Sequence, residues 1–180
     1  MKRSVLIVLL LTLAVPCLAF GQAQTAPPPK PGPEVQKLAY HLGTWTTEID
    51  VKAGPSGPAG KISSTGHCEW FAGGFQLVCR GEGTGPMGKS TDLEIFAYDG
   101  EAKAYTYYSI SSAGEIVSMK GSLTGNTLTW LVDGKAEGNP ARIRVTEVQV
   151  SPTYFTLTVD YSVAGGPWIV ISEAKATKVK

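Results

Sequence analysis

The sequence predicts an all-β protein, an antiparallel up-and-down meander closed into a barrel of about ten strands with a short N-terminal helix. Short β-rich runs separated by Gly, Pro, Asn and Asp recur along the 180-residue chain. In addition, Cys68 and Cys79 stand equally far from the Gly73-Gly74 pair, so a hairpin that turns there places the two sulfurs within disulfide reach. Nearly all links between the runs have hairpin length, which favours a closed barrel over the alternative, a two-sheet sandwich.

The predicted elements follow one another without long connections. Val35, Leu38 and Leu42 recur at helical spacing, and Gly43 ends this short helix. The predicted strands after it are 43–52, 60–71, 75–82, 90–98, 104–111, 115–121, 126–132, 141–150, 153–163 and 168–178. Because consecutive strands joined by tight turns pair with each other, this order predicts a meander.

Alternation along the strands predicts which side chains point into the barrel. Counted from the glycine pair, the strand face that carries both cysteines is apolar and points inward, whereas the face with His67 and Glu69 is polar. The predicted ligand-lining residues are Trp45, Ile49, Trp70, Leu77, Leu157, Tyr161 and Arg144.

The facing of Arg142 and Arg144 depends on the register of one hairpin. If its turn centres between Ser151 and Pro152, both arginines point inward, where they would hold a carboxylate ligand. A register shifted by one residue places Arg144 opposite Asp160 and turns both arginines outward. The outward register separates polar from apolar side chains more cleanly and is favoured, while the inward register stays open.

Residues 1–21 have the features of an export signal. Lys2 and Arg3 give a positive start, an apolar stretch follows, and small residues precede the predicted cleavage after Gly21. Residues 22–33 then form a proline-rich linker, and residues 34–180 form the barrel domain. The apolar stretch is shorter than the roughly 20 residues that span a bilayer, so no transmembrane segment is predicted.

Cysteine usage predicts the compartment. Once the signal is removed, Cys68 and Cys79 remain, an even number that favours a disulfide in a periplasmic or secreted protein. The alternative is a lipoprotein anchored through Cys17. Pro16 directly before it disfavours this address, because a small residue, usually Gly or Ala, is typical of that position in lipoproteins.

Charge composition argues against some partners. The chain has 16 Lys and Arg against 15 Asp and Glu, and no basic run. A near-neutral surface does not attract phosphate backbones, so no nucleic acid partner is predicted. We expect a small apolar or amphipathic molecule as the partner and no cofactor, and the sequence does not predict an oligomeric state.

Three motifs suggest chemistry that their context does not support. Gly83–Ser90 matches the letters of a phosphate-binding loop, but a strand rather than a helix follows it, so a hairpin is predicted. His41 and His67 are the only histidines and have no ligand cluster nearby, so neither a metal or haem site nor a nucleophile with a histidine base is predicted. Asp92 and Glu94 share one strand face and are interpreted as solvated acids. No catalytic residue is therefore assigned.

Several local motifs occur together as in one protein family. Gly43-Thr44-Trp45 resembles the Gly-x-Trp opening of lipocalin-like proteins, whose tryptophan closes one end of the barrel. With Glu69–Gly74, Ala97–Asp99 and Tyr105, it makes the region Val35–Lys180 similar to the bacterial domain of unknown function 1579 family, a lipocalin-like (calycin-like) barrel. The chain departs from the family at Phe75, where an arginine usually follows the glycine pair. The resemblance implies a barrel and little chemistry, because the family has no settled activity.

Together these observations predict an exported barrel that holds an apolar or amphipathic small molecule in its interior without catalysis. A barrel of about ten strands is wide enough to leave a cavity. Two alternatives stay open, an envelope interaction protein with a filled barrel and a lipocalin-like isomerase or cyclase. An inward Glu69, Glu94 or Arg144 with a shifted pKa would favour the enzyme.

Overall fold

The protein is a closed antiparallel barrel, seen in a computed structural model that describes residues 29–54 and 58–179. A helical turn α1 and a 3₁₀ turn precede the strands β1 to β10. In chain order the elements are α1 Pro33–Gln36, the 3₁₀ turn Lys37–His41, β1 Gly43–Val51, β2 Gly60–Trp70, β3 Gln76–Gly85, β4 Gly88–Asp99, β5 Ala104–Ser111, β6 Ile116–Thr124, β7 Thr127–Ala136, β8 Asn139–Ser151, β9 Tyr154–Val163 and β10 Ile169–Lys178. Each strand pairs with its sequence neighbours, and β1 pairs with β10 to close the cylinder. The predicted ten-stranded meander is thus confirmed.

The predicted export signal, including Cys17, and most of the predicted linker lie outside the described residues. Within residues 29–54 and 58–179, no helix has the length and apolar character that crossing a membrane requires.

The hairpin between β2 and β3 has the predicted geometry. Gly73 and Gly74 both have positive φ, +88° and +74°, which glycine adopts without a steric penalty. The register places Cys68 directly opposite Cys79, and the two form a disulfide with their Cα atoms 4.0 Å apart. Both cysteines are buried in the main apolar cluster, so this face of the hairpin points inward.

The next hairpin uses the residues that match the phosphate-loop letters. Gly85 pairs with Gly88 across a turn at Pro86-Met87, so Gly83–Ser90 belongs to the end of β3 and the start of β4. The predicted hairpin is confirmed, because the segment does not lead into a helix. This turn also fixes the register that places Glu94 opposite Cys79.

One end of the barrel is closed by the helical segment that precedes β1. Leu38, 2 % exposed, packs from this segment into the apolar cluster formed by the strand ends. The buried members of that cluster are Leu38, Cys68, Leu77, Cys79, Phe96, Tyr105, Leu128 and Trp130. Trp45, Phe155 and Ala176 form a second buried group at the same end. We call this packed region the floor of the barrel.

Close packing at the floor depends on a glycine opposite a large ring. Gly121 on β6 pairs with Trp130 on β7, and a Cβ at Gly121 would lie 2.5 Å from the indole ring. Glycine is required here because any larger residue would displace the tryptophan. The opposite end of the barrel, where β3 turns into β4, has no helical plug among the described residues, and we call it the mouth.

Candidate functional site

Two buried polar side chains, His41 and Glu147, contact each other in the floor of the barrel. Nε2 of His41 lies 2.9 and 3.0 Å from the two carboxylate oxygens of Glu147, and both side chains are almost completely buried. Nε2 of Gln149 donates to Oε1 of Glu147 at 3.2 Å. Trp45 donates its indole N–H to the carbonyl of His41 at 2.8 Å, which fixes the end of the 3₁₀ turn on the first strand.

The backbone elements explain why these residues meet. His41 ends the helical segment, so its side chain enters the barrel at the floor. There it stacks on Phe96, with the ring centroids 5.4 Å apart. Glu147 lies on the inward face of β8 opposite Leu128, which is also buried. Nδ1 of His41 is buried and has no hydrogen-bond partner among the described residues.

A second polar pair lies on neighbouring strands above this group. The Tyr107 hydroxyl on β5 donates a short hydrogen bond of 2.6 Å to Oε1 of Glu94 on β4. The register places Glu94 opposite Cys79 on one side and Ser109 on the other, which confirms that its side chain points into the barrel. The sequence-based interpretation of Glu94 as a solvated surface acid is therefore wrong.

The environment of Glu94 shifts its ionisation. Burial raises the pKa of the Glu94 carboxyl, the hydrogen bond from Tyr107 lowers it, and the negative charge of Asp92 raises it again. His41 lowers and Glu147 raises this pKa by smaller amounts, so the net direction is upward. Burial also raises the pKa of the Tyr107 phenol, and the adjacent Glu94 raises it further. Tyr107 therefore remains a hydrogen-bond donor throughout the physiological pH range.

Asp92 adds a third carboxyl group to the interior. It follows the same alternation as Glu94 two residues later on β4, and it lies opposite Gly81 of β3. Its carboxylate covers the space that a side chain at Gly81 would fill, since a Cβ there would lie 2.7 Å from Oδ2. Burial raises the pKa of Asp92. Asp92 is thus an interior acid as well, and not the solvated residue that the sequence suggested.

Between the floor and the mouth, the interior wall is mainly apolar. The side chains there point inward by strand alternation, yet they remain only half-buried. These inward, half-buried residues include Ile49, Ile62, Val132, Ile143, Val159 and Tyr161. These side chains are therefore less completely buried than those of the floor.

Arg144 does not belong to this wall. It pairs with Asp160 across β8 and β9, the register that the sequence favoured, and points away from the interior. Its Nη2 and Nε lie 3.0 and 3.1 Å from Oδ2 of Asp160, and its guanidinium lies 4.4 Å from the centre of the Trp168 ring. Arg142 also faces outward, with Nε 2.7 Å from Asp133. The inclusion of Arg144 among the lining residues is therefore wrong, because Arg144 and its partner Asp160 share the outward-facing register of β8 and β9.

The structure divides the other predicted lining residues into two groups. Trp45 and Leu77 are buried in the floor, and Trp70 packs against the same cluster. Ile49, Leu157 and Tyr161 point inward and are half-buried. Trp45 and Leu77 therefore belong to the packed floor, whereas Ile49, Leu157 and Tyr161 lie along the half-buried wall.

The outer wall across β1 to β5 carries a separate concave region of about 730 Å³. Thr44, His67, Arg80, Leu93 and Ile110 contribute outward side chains to it. Nδ1 of His67 lies 2.9 Å from the Thr44 hydroxyl, and Arg80 pairs with an exposed acid of the neighbouring strand. The predicted outward facing of His67 is confirmed, so this histidine is separate from the interior site.

The interior acids and His41 were missed by sequence reasoning, although part of the signal was present. A turn centred on Pro86-Met87 would have placed Glu94 opposite Cys79, which was already assigned inward. The contact between His41 and Glu147 joins residues 106 positions apart, and no local pattern predicts it. Among the residues described, no three His, Cys, Asp or Glu side chains are grouped to hold a metal ion.

Two solved structures have a similar fold. One is an S-type phycobiliprotein lyase, CPES, from Guillardia theta, with a TM-score of 0.54 and 10 % identity, covering 81 % of this chain and 92 % of that chain. The other is Rv2717c from M. tuberculosis, with a TM-score of 0.55 and 13 % identity, covering 84 % of this chain and all of that chain. At such low identity the similarity concerns the fold alone.

Sequence comparison adds a family and no activity. No curated protein matches the chain. The match to the family described as "Protein of unknown function (DUF1579)" extends over residues 30–178, which includes the whole barrel. The chain therefore belongs to the DUF1579 family and has the lipocalin-like fold that its sequence motifs suggested.

Proposed function

We propose that the protein binds a small amphipathic molecule inside the barrel, as an exported carrier or receptor protein. The observation that carries this proposal is the wall of inward apolar side chains that stay half-buried between the floor and the mouth. A core that filled the barrel would bury these residues as completely as Leu77 and Leu128, which are 0 % and 1 % exposed at the floor.

The barrel combines two features that an amphipathic ligand needs. The apolar wall offers contact to a hydrocarbon portion, and the acids near the floor offer hydrogen-bond acceptors to a polar end. The floor itself is closed by packing and by the disulfide, so the mouth is the route through which a molecule would arrive. A domain with a disulfide is compatible with a periplasmic or secreted location. We propose this location together with cleavage of residues 1–21.

Filling the interior tests the proposal. Val159 points inward and Thr158 outward at adjacent positions of β9, and both are half-buried. Val159→Trp should weaken uptake of the neutral dye Nile red by about tenfold or more, because the indole occupies the open space, and Thr158→Trp is the matched control. Dye fluorescence gives the dissociation constant. Failure of the wild-type protein to bind Nile red, or equal binding by the two variants, would contradict interior binding.

One observation favours a second candidate, a lipocalin-like isomerase or cyclase. Glu94 points into the barrel with its pKa raised, which brings this carboxyl closer to the range in which it could exchange a proton with a bound substrate. The two functions differ in what the protein contains after purification from its own host. If Glu94→Gln retains a molecule of the same mass but different chromatographic retention from that in the wild type, isomerisation is supported. If both proteins retain the same molecule, the binding function alone is supported.

A further inference from the structure

We propose that the interior selects ligands whose polar end is a hydrogen-bond-donating cation, such as an alkyl amine, and rejects carboxylates. This inference rests on the proposed interior binding and specifies the polar end of the ligand. Its basis is the one-sided charge of the interior together with acceptor atoms near the floor that have no partner.

The interior charges are nearly all acidic. Asp92, Glu94 and Glu147 point inward, and His41 is the basic side chain that meets them. Among the described residues, the lysines and arginines lie on the outer face or at the strand ends. Lys178 follows the inward alternation, but it lies at the outer edge of the floor, with its ammonium 5.1 Å from the centre of the Trp45 ring.

The partners of these acids are unequally distributed. Both oxygens of Glu147 contact His41, and Gln149 contacts one of them, so this carboxylate is satisfied within the floor. Glu94 receives one hydrogen bond, from Tyr107 to Oε1. Among the described residues, no group hydrogen-bonds to its Oε2 or to the Asp92 carboxylate. Oε2 of Glu94 and the Asp92 carboxylate, both on the inward face of β4, are thus left without a protein partner in the described part of the chain.

The floor contains a further polar atom without a partner among the residues described, Nδ1 of His41. His41, 5 % exposed, has a buried Nδ1 without a partner in the described part of the chain, and its ring stacks on Phe96, the inward neighbour of Glu94 on β4. The hydrogen-bonding capacity of this end of the interior is therefore not used up by the protein itself.

The electrostatics favour a ligand with a cationic polar end over one with an anionic polar end. A carboxylate would bring a further negative charge beside Asp92 and Glu94 into a region of low dielectric, where like charges repel strongly. An ammonium group would instead supply the counter-charge and the donors that both acids lack. The apolar wall above them would contact the alkyl chain. The same barrel with an inward arginine would have the opposite preference, but Arg144 faces outward.

Matched ligands test this preference. Dodecylamine, 1-dodecanol and dodecanoate have the same chain and differ only in the polar end. By calorimetry at neutral pH, below the concentrations at which these molecules aggregate, we expect the amine to bind about tenfold tighter than the alcohol and the carboxylate to bind most weakly. Glu94→Gln should remove most of the amine preference, because the amide carries no negative charge. Glu82→Gln removes an exposed, outward carboxylate of β3 and should change nothing.

The outcomes separate the inference from the function on which it rests. If the alcohol binds but the carboxylate binds as tightly as the amine, or if Glu94→Gln keeps the full amine preference, the charge selection is overturned and interior binding stands. If none of the three molecules binds and Nile red is not taken up, both are overturned. A cooperative unfolding transition in urea shows that Glu94→Gln is folded.

Discussion

The disulfide between Cys68 and Cys79 should contribute measurably to stability without being required for the fold. It joins residues 11 positions apart, and the loss of chain entropy in the unfolded state for a loop of that length corresponds to about 2.8 kcal/mol at 25 °C. For a domain of this size, each kcal/mol changes the melting temperature by roughly 2–4 °C. Reduction should therefore lower the melting temperature by roughly 6–11 °C.

Two samples separate the cross-link from the packing of the sulfur atoms. The wild-type protein, reduced in denaturant and refolded with a reducing agent, loses only the cross-link. Cys68→Ala with Cys79→Ala also loses two buried sulfur atoms, each worth about 1 kcal/mol of transfer free energy, so it should melt a few degrees lower still. Circular dichroism at increasing temperature measures both. An unchanged melting temperature after reduction, or complete loss of β structure at 25 °C, would refute the reasoning.

Two further substitutions test the electrostatic assignments. Arg144→Ala leaves Asp160, 7 % exposed, without its partner and should lower the free energy of unfolding in urea by about 1–3 kcal/mol. Arg142→Ala breaks an exposed pair and should lower it by about 0–1 kcal/mol. Equal losses would contradict the difference in burial between the two pairs. For Glu94, the pKa is higher in the folded than in the unfolded protein, so its contribution to stability is greatest at acidic pH and falls as the pH rises from about 4.5 through the folded pKa. Glu94→Gln should therefore be more stable than the wild type at neutral pH and lose this advantage in acid; parallel pH profiles in urea unfolding would argue against a raised pKa.

The strand order could be predicted because the turns carry local signals. Gly73-Gly74 and the regular spacing of short β-rich runs are features of neighbouring residues, and hairpins join neighbouring residues. The structure extends some strands beyond their predicted ends. For example, β3 continues to Gly85 and β4 begins at Gly88, since glycines that look like a loop in the sequence still pair across the Pro86-Met87 turn.

The polar part of the candidate site was harder to predict for two physical reasons. Whether Glu94 points inward depends on a single-residue register in a glycine-rich hairpin, and a shift of one residue reverses every side chain. The pair of His41 and Glu147 depends instead on how a helical plug docks on the finished barrel, which is a tertiary contact without sequence periodicity. The facing of Arg144 was predictable because Asp160 stands opposite it in the better of two registers.

Both ends of the domain's polypeptide lie beside the plug. Pro31 lies next to Gly74 of the β2–β3 turn, since a Cβ at Gly74 would be 3.4 Å from Cγ of Pro31. The backbone N–H of Val179 donates to the carbonyl oxygen of Thr44 at 2.8 Å. Any tether attached before residue 31 or after residue 179 therefore emerges on the side opposite the opening. A molecule immobilised through either terminus on a sensor chip, a bead or a cell surface would present its opening to the surrounding solution.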